Sequence, residues 1–169
     1  MRTVVSGRFI RRGRIVQCRK EFLMSEVLKQ RYEVSADDFA AAGAASAAVK
    51  KTLKQLGFSA DFIRRTSIAM YEGEINMVIH SEGGVAEVDI AEDHIIITLT
   101  DKGPGVENIE LAMQEGWSTA TDSIRELGFG AGMGLPNIKK QSDDFKINSE
   151  VGVGTTLVIT IRAAAERGY

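Results

Sequence analysis

The sequence predicts an α+β fold: a two-layer sandwich in which helices cover one face of a mixed or antiparallel sheet. Strand-like and helix-like segments follow one another in the order β-αα-ββ-loop-α-ββ. The later strands form pairs with short connections, which is typical of antiparallel hairpins. A chain of 169 residues is long enough for one domain with its own core and short for two. We therefore expect a single domain.

The first two predicted elements are a short strand and a long helix. Residues 29–35 alternate enough for a strand, which ends at Ser35, a residue type that caps helices well. The Ala-rich run over residues 37–56 begins with acids, carries lysines near its end and is followed by Gly57. These signals predict one helix over the whole run, with Ser35 as its cap.

A second helix and a β-hairpin follow. Ser59 and Asp61 open the helix, which runs to about residue 81 before a pair of glycines. Residues 85–90 alternate apolar with acidic side chains, and residues 94–100 are mostly apolar and β-branched. Because only a short turn separates these two segments, they predict a hairpin.

The remaining chain is predicted to hold a long loop between short elements. A short helix is expected over residues 106–115, and residues 116–134 are loop-like because they are rich in Gly, Ser and Thr. A further helix over residues 135–142 has a proline in its first turn. Residues 145–149 and 155–161 predict the final strand pair.

Charge is unevenly distributed along the chain. The formal net charge is −2, yet residues 1–23 carry +6 and residues 24–169 carry −8. An acidic body argues against direct binding of nucleic acid. The sequence has no apolar run long enough for a membrane span, so we expect no membrane partner. The single cysteine, Cys18, fits a reducing cytoplasm.

The basic first segment has two explanations. It would suit an arm that binds an anionic surface. Alternatively, Lys20-Glu21 can be encoded by AAGGAG, a ribosome-binding sequence that would lie a few nucleotides before the codon of Met24. We favour the second explanation and expect residues 1–23 to be a disordered leader or the product of a start assigned too early. The single domain is then expected over residues 24–169.

Three polar residues lie along one stripe of the second predicted helix. Glu72, Asn76 and His80 follow the spacing i, i+4, i+8, which places a carboxylate, an amide and an imidazole one turn apart. The carboxylate would suit proton removal and the amide oxygen would suit Mg²⁺ if a phosphate lay above this stripe. Alone, the stripe is more typical of a solvated polar face.

Two glycine motifs follow this helix. Asp101 ends an apolar strand and enters Gly103-x-Gly105; such an acid can accept a hydrogen bond from an exocyclic amine, although the same pattern is common in turns. The segment 128–134 has glycine at every second position and opens a helix, whose N-terminus suits a phosphate. Because it has neither the Gly-Lys-Ser/Thr ending of a Walker A loop nor a strand directly before it, we expect a flexible phosphate-binding lid.

Together and in this order, these motifs resemble the N, G1, G2 and G3 boxes of the GHKL ATPase superfamily. They are most similar to the small anti-sigma-factor serine kinases and the stressosome switch kinases, over about residues 30–162. The resemblance implies a GHKL ATPase-like fold and makes residues 24–169 an ATP-binding kinase domain. Four motifs carry it: Glu72-x-x-x-Asn76, Asp101-x-Gly103-x-Gly105, Gly130-x-Gly132-Met133-Gly134-Leu135 and Gly152-x-Gly154-Thr155-Thr156.

The resemblance implies a role for each position. Glu72 would be the general base that takes the proton of a substrate serine, and Asn76 would hold Mg²⁺ on the ATP phosphates. Glu74, a second acid, lies about 200° further around the helix and should face elsewhere. Arg125 would reach the γ-phosphate. The other contacts belong to two sets: Asp101, Gly103, Gly105 and Thr155 or Thr156 around the adenine, and Gly130, Gly132 and Gly134 in the lid.

The implied function is that of a cytoplasmic ATP- and Mg²⁺-dependent protein-serine kinase of the anti-sigma or switch type. Its substrate would be a STAS-type antagonist protein; a sigma factor or a downstream phosphatase is a further candidate partner, and a homodimer is compatible with the family. Two alternatives stay open. One is a partner-binding regulator with ATP as a structural ligand and little kinase activity. The other is a detached histidine-kinase ATPase domain, although this sequence has only His80 and His94 as phospho-acceptor histidines.

Overall fold

A computed structural model describes residues 27–164, so the expected leader over residues 1–23 lies outside the described residues. The described chain is an α+β sandwich, and the predicted fold class is confirmed. All strand pairs are antiparallel, in the order β1-β2-β3-β5-β4. The strands are β1 (Leu28–Val34), β2 (Gly84–Ile90), β3 (His94–Asp101), β4 (Asp144–Glu150) and β5 (Gly154–Arg162). The helices are α1 (Ala44–Gln55), α2 (Ala60–His80), α3 (Ile109–Ala112), α4 (Asp122–Glu126) and α5 (Gly134–Gln141).

The core lies between one face of the sheet and α2. Ile95, Ile97 and Leu99 alternate along the central strand β3, and all three are buried. Ile97 lies opposite Val88 of β2 and Ile159 of β5, which are buried as well. α2 packs against β3 and β5 and contacts both α1 and α5. This packing fixes the position of every residue on α2 relative to the strand ends.

The start of α1 differs from the prediction. Residues 37–43 form turns, and the helix begins at Ala44 after Gly43, which has a left-handed φ of 92°. The carboxylate of Glu74 on α2 accepts hydrogen bonds from the backbone N–H groups of Gly43, Ala45 and Ser46, at 3.0, 3.1 and 3.0 Å. The prediction of a helix from residue 37 was wrong because the cap comes from a distant carboxylate and not from Ser35.

The other elements follow the predictions closely, with one addition. Ser59 caps α2 by accepting the N–H of Phe62 at 3.3 Å. The predicted helix over residues 106–115 is reduced to the single turn of α3, and α4 lies inside the segment predicted to be a loop. No helix within residues 27–164 is both long and apolar enough to cross a membrane.

Candidate functional site

A cavity of about 900 Å³ lies between α2, the sheet and residues 104–135. This volume falls in the range of about 300–1,000 Å³ that is usual for small-molecule and cofactor sites. The sheet contributes apolar side chains from the central strands, including Leu99 and Leu157, and the polar residues Asp101 and Thr155. The lining therefore offers apolar surface for a flat ring together with a few fixed polar groups.

The polar stripe of α2 faces this cavity and not bulk solvent. Glu72, Asn76 and His80 all line it, and each residue is half-buried. The imidazole Nδ1 of His80 lies 3.4 Å from the hydroxyl of Thr119, and burial lowers the pKa of His80. Glu74 points away from the stripe into the contact with α1, as predicted from its angular position.

A side chain that the sequence analysis did not single out as a site residue contacts Glu72. The amide Nδ2 of Asn137 on α5 donates a hydrogen bond to Oε1 of Glu72 at 2.7 Å. Nearby, Gly134 packs directly on Asn76, since a Cβ at Gly134 would lie 2.9 Å from the amide oxygen Oδ1 of Asn76. The start of α5 therefore lies against the polar stripe. Local sequence patterns cannot reveal the pair of Asn137 and Glu72, because 65 positions separate the two residues.

Asp101 lies at the sheet end of the cavity, and one of its carboxylate oxygens already accepts a hydrogen bond from within the protein. Its Oδ1 accepts the backbone N–H of Thr155 at 3.0 Å. Burial raises the pKa of Asp101, and the hydrogen bond from Thr155 partly opposes that rise. Ser149 supports this corner, since its hydroxyl accepts the N–H of Val106 at 2.8 Å and lies 2.8 Å from the hydroxyl of Thr155. Ser149 was not among the predicted site residues.

The glycines after Asp101 are required by contacts within the protein itself. A Cβ at Gly105 would lie 2.4 Å from the carbonyl oxygen of Glu150, and one at Gly103 would lie 3.0 Å from Cα of Ser81. Gly105 lines the cavity, whereas Gly103 and Thr156 are not among its described lining residues. Close packing of the backbone explains both glycines without reference to a bound ring.

The predicted lid, taken together with the loop that leads into it as residues 116–134, borders the same cavity and is folded against itself. Gly132 has a φ of 73°, which glycine adopts readily, and a Cβ there would lie 2.5 Å from the carbonyl carbon of Gly116. The N–H of Gly116 donates to the carbonyl oxygen of Gly132 at 3.0 Å. The ring of Phe129 stacks on Phe39, with 5.6 Å between centroids. All four glycines of the segment 128–134 line the cavity: Gly128, Gly130, Gly132 and Gly134.

Arg125 is held within the lid. Its Nε donates to the carbonyl of Ala120 at 3.2 Å, and its Nη2 donates to the carbonyl of Ser118 at 3.3 Å. Arg125 is not among the described residues that line the cavity. A contact with a γ-phosphate would require the guanidinium to leave these carbonyls, so this role stays a prediction.

The donor atoms around the stripe suit a metal that takes most of its ligands from a bound molecule. Within residues 27–164, no group of three His, Cys, Asp or Glu side chains is placed to hold a metal ion. Asn76 offers an amide oxygen and Glu72 a carboxylate, both oxygen ligands of the kind Mg²⁺ prefers. Mg²⁺ commonly binds one or two protein oxygens and completes its shell with phosphates and water. The residues therefore fit a magnesium–nucleotide complex.

Fold and cavity together define a ligand-binding domain of the α+β sandwich class, with polar groups that fit a magnesium–nucleotide complex. The chain belongs to the family of histidine kinase-, DNA gyrase B- and HSP90-like ATPases, whose model matches residues 46–165.

Curated relatives narrow the comparison. The chain is 34% identical over 121 residues to an anti-sigma F factor of Clostridium beijerinckii, covering 68% of this chain and 81% of the relative. It is 30% identical over 112 residues to the serine/threonine-protein kinase RsbT of Bacillus subtilis, covering 64% and 78%. The predicted resemblance to anti-sigma-factor kinases and their relatives is confirmed.

A solved structure supports the fold. The crystal structure of the RsbU and RsbW domains of a Mycobacterium tuberculosis protein matches with a TM-score of 0.52 at 18% sequence identity. The match covers 80% of this chain and 33% of that chain, so the present chain spans about a third of the solved one. At 18% sequence identity the match supports the fold alone.

Proposed function

We propose that this protein is an ATP-dependent protein-serine kinase that controls a partner protein by phosphorylating it. The observation that carries the proposal is one cavity bordered by Glu72 and Asn76 on α2, by Asp101 at the sheet end and by the glycine-rich lid. Family membership supports ATP as the nucleotide, and the relatives named anti-sigma F factor and serine/threonine-protein kinase support protein phosphorylation.

Asp101 is proposed to select adenine. Its Oδ1 is engaged by Thr155, which leaves Oδ2 to accept a hydrogen bond from the exocyclic amine. The apolar surface of Leu99 and Leu157 would contact the ring. Guanine carries a carbonyl where adenine carries this amine, so a fixed acceptor discriminates between them.

Glu72 is proposed to be the general base. Its carboxylate takes the proton of a serine hydroxyl while the serine oxygen forms a bond to the γ-phosphorus. The bond between that phosphorus and the bridging oxygen breaks, and ADP leaves with the electron pair. The products are phosphoserine, ADP and a proton that Glu72 then returns to solvent. Atoms and charge therefore balance with no further reactant.

Asn76 is proposed to hold Mg²⁺ through its amide oxygen. When bound, the ion would neutralise charge on the phosphates. The contact between Gly134 and Asn76 supports this assignment, because it holds the amide beside the point where the lid ends and α5 begins. Gly130 and Gly132 are proposed to cover the phosphates with their backbone N–H groups.

The proposed substrate is a small antagonist protein of the STAS type, with a sigma factor or a phosphatase as a further partner. The relatives named anti-sigma F factor support a sigma-factor pathway. The single cysteine of the sequence supports a cytoplasmic location.

The decisive test incubates the purified full chain with labelled ATP, Mg²⁺ and STAS-domain proteins encoded near its gene. We expect labelled phosphoserine on one of them with wild type and none with Glu72→Ala, while both variants bind ATP. An unchanged biological effect of Glu72→Ala would favour the partner-binding regulator. Failure of the wild type to bind any adenine nucleotide would overturn the assignment.

A further inference from the structure

We propose that Asn137 is the positioning residue of the general base and orients the Glu72 carboxylate for proton removal. The proposal rests on the function argued above. Its starting observation is the 2.7 Å hydrogen bond from Nδ2 of Asn137 to Oε1 of Glu72. Asn137 is not among the described lining residues of the cavity, so it acts on the reaction through Glu72 and not through the nucleotide.

Contacts along α5 place Asn137 independently of this hydrogen bond. α5 lies antiparallel to α2, with Gly134 over Asn76 at one end. At the other end, Nε of Arg65 on α2 donates to the carbonyl of Gln141 at 2.9 Å. Between these contacts, Ile138 is 0% exposed and belongs to the hydrophobic core. The backbone of residue 137 is therefore fixed beside residue 72.

The geometry leaves the base with a free oxygen. A glutamate side chain has several rotatable bonds, and a single fixed donor on Oε1 removes most of that freedom. Oε2 of Glu72 has no side-chain partner among the described residues and stays available for the serine hydroxyl. The donor is a neutral amide, which orients a carboxylate and cannot exchange a proton with it at ordinary pH.

The same contact connects the base to the lid. Gly134 is both the last glycine of the lid motif and the first residue of α5, one turn before Asn137. A lid that binds phosphate with its backbone therefore ends at the helix that orients Glu72. Glu72 is then oriented for proton removal when the start of α5 is docked on α2.

The test compares two substitutions whose effects separate positioning from packing. Asn137→Asp keeps the size of the side chain but places a second carboxylate against Oε1, whereas Asn137→Ala removes the donor. If Asn137 only filled space, the isosteric aspartate would be the milder change. If it orients the base, aspartate is the more severe change, because it removes the donor and adds repulsion between like charges.

The assay is labelled phosphate transfer from ATP and Mg²⁺ to the STAS-domain protein that the wild type phosphorylates. We expect kcat to fall about tenfold or more for Asn137→Ala and further for Asn137→Asp, while KM and ADP affinity change less than about twofold. Lys139→Ala, an exposed change on the same helix, is the matched control and should match wild type. In Glu72→Gln, adding Asn137→Ala should cause no further loss.

Three results would overturn the proposal: Asn137→Asp as active as wild type, Asn137→Asp milder than Asn137→Ala, or a further loss in the double variant. A wild type that binds ATP but transfers no phosphate refutes the kinase function, and the present proposal with it. If the wild type transfers phosphate and the Asn137 variants transfer it at the same rate, only the positioning role is refuted. Melting temperatures of both variants, expected within a few degrees of wild type, exclude unfolding as the cause.

Discussion

Glu74→Ala should destabilise the fold strongly, although Glu74 lies only two residues from the proposed base. Glu74 is 2% exposed, and its carboxylate accepts hydrogen bonds from three backbone N–H groups at the start of α1, at 3.0–3.1 Å. A hydrogen bond to a charged group contributes about 1.5–3 kcal/mol, and a buried N–H donor left without a partner costs about 1–3 kcal/mol. Because the three bonds share one side chain, their contributions do not add. We expect a loss of about 3–5 kcal/mol in the free energy of unfolding.

Urea and thermal unfolding of the full chain measure this loss, which corresponds to a fall of roughly 10–20 °C in Tm. Glu74→Gln should lose about half as much free energy of unfolding as Glu74→Ala. The amide keeps an acceptor oxygen but turns its own N–H donor toward one of the backbone N–H groups. Glu87→Ala, an exposed acid on β2, should stay within about 0.5 kcal/mol of wild type. A Glu74→Ala variant within about 1 kcal/mol of wild type would refute the capping argument.

The remaining predictions concern three positions near the cavity. Gly73→Ala should lower the free energy of unfolding by about 1–3 kcal/mol, since its Cβ would lie 2.1 Å from Cδ1 of buried Leu99. Adding Leu99→Val should recover part of that loss in urea unfolding. Strictly additive effects of the two substitutions would refute the contact. Asp101→Asn should bind ATP about tenfold more weakly in a fluorescence titration. Burial raises the pKa of Asp101, so the ionised carboxylate is disfavoured in the folded state. Asp101→Asn should therefore be more stable than wild type at pH 7, and this gain in stability should disappear as pH falls through the raised pKa. A stability difference that does not change with pH would contradict this. Burial lowers the pKa of His80, so stability that is present above the ordinary pKa of 6.5 is lost as pH falls through the lowered pKa. The Tm of His80→Gln should therefore change less between pH 8 and 5 than the Tm of wild type. Parallel Tm profiles of the two proteins would refute this prediction.

The sequence predicts those parts of the fold that local signals determine. α2 begins at its predicted cap Ser59, and the hairpin of β2 and β3 lies where alternating side chains predict it. The start of α1 could not be predicted, because Ser35 and the acids after it satisfy every local rule for a helix start. Its actual cap is Glu74, 31 positions from Gly43 along the chain. Such a contact exists only after α2 has packed beside α1.

The candidate site likewise has parts that local sequence signals predict and parts that they do not. The spacing of Glu72 and Asn76 predicts that they share one helix face, and that face borders the cavity. The partner of Glu72 could not be predicted, because an asparagine in a short amphipathic helix has no local feature that distinguishes it from a solvated one. The packing of Arg125 against lid carbonyls likewise depends on how the lid folds, which glycine-rich sequence leaves open.

Glu72 and Glu74 on α2 connect the lid to this helix through different contacts. Glu72 meets α5, which continues directly from the lid. Glu74 fixes Gly43 at the end of the turn segment 37–43, and that segment carries Phe39, which stacks on Phe129 of the lid. An aromatic pair of this kind contributes about 0.5–1.5 kcal/mol, which is small enough to break when a ligand rearranges the lid. The lid therefore reaches α2 through this weak aromatic pair, through Thr119, whose hydroxyl lies 3.4 Å from Nδ1 of His80, and through one continuous helix. Because α5 contacts Glu72 itself, it is the most direct route by which nucleotide binding can reach this residue.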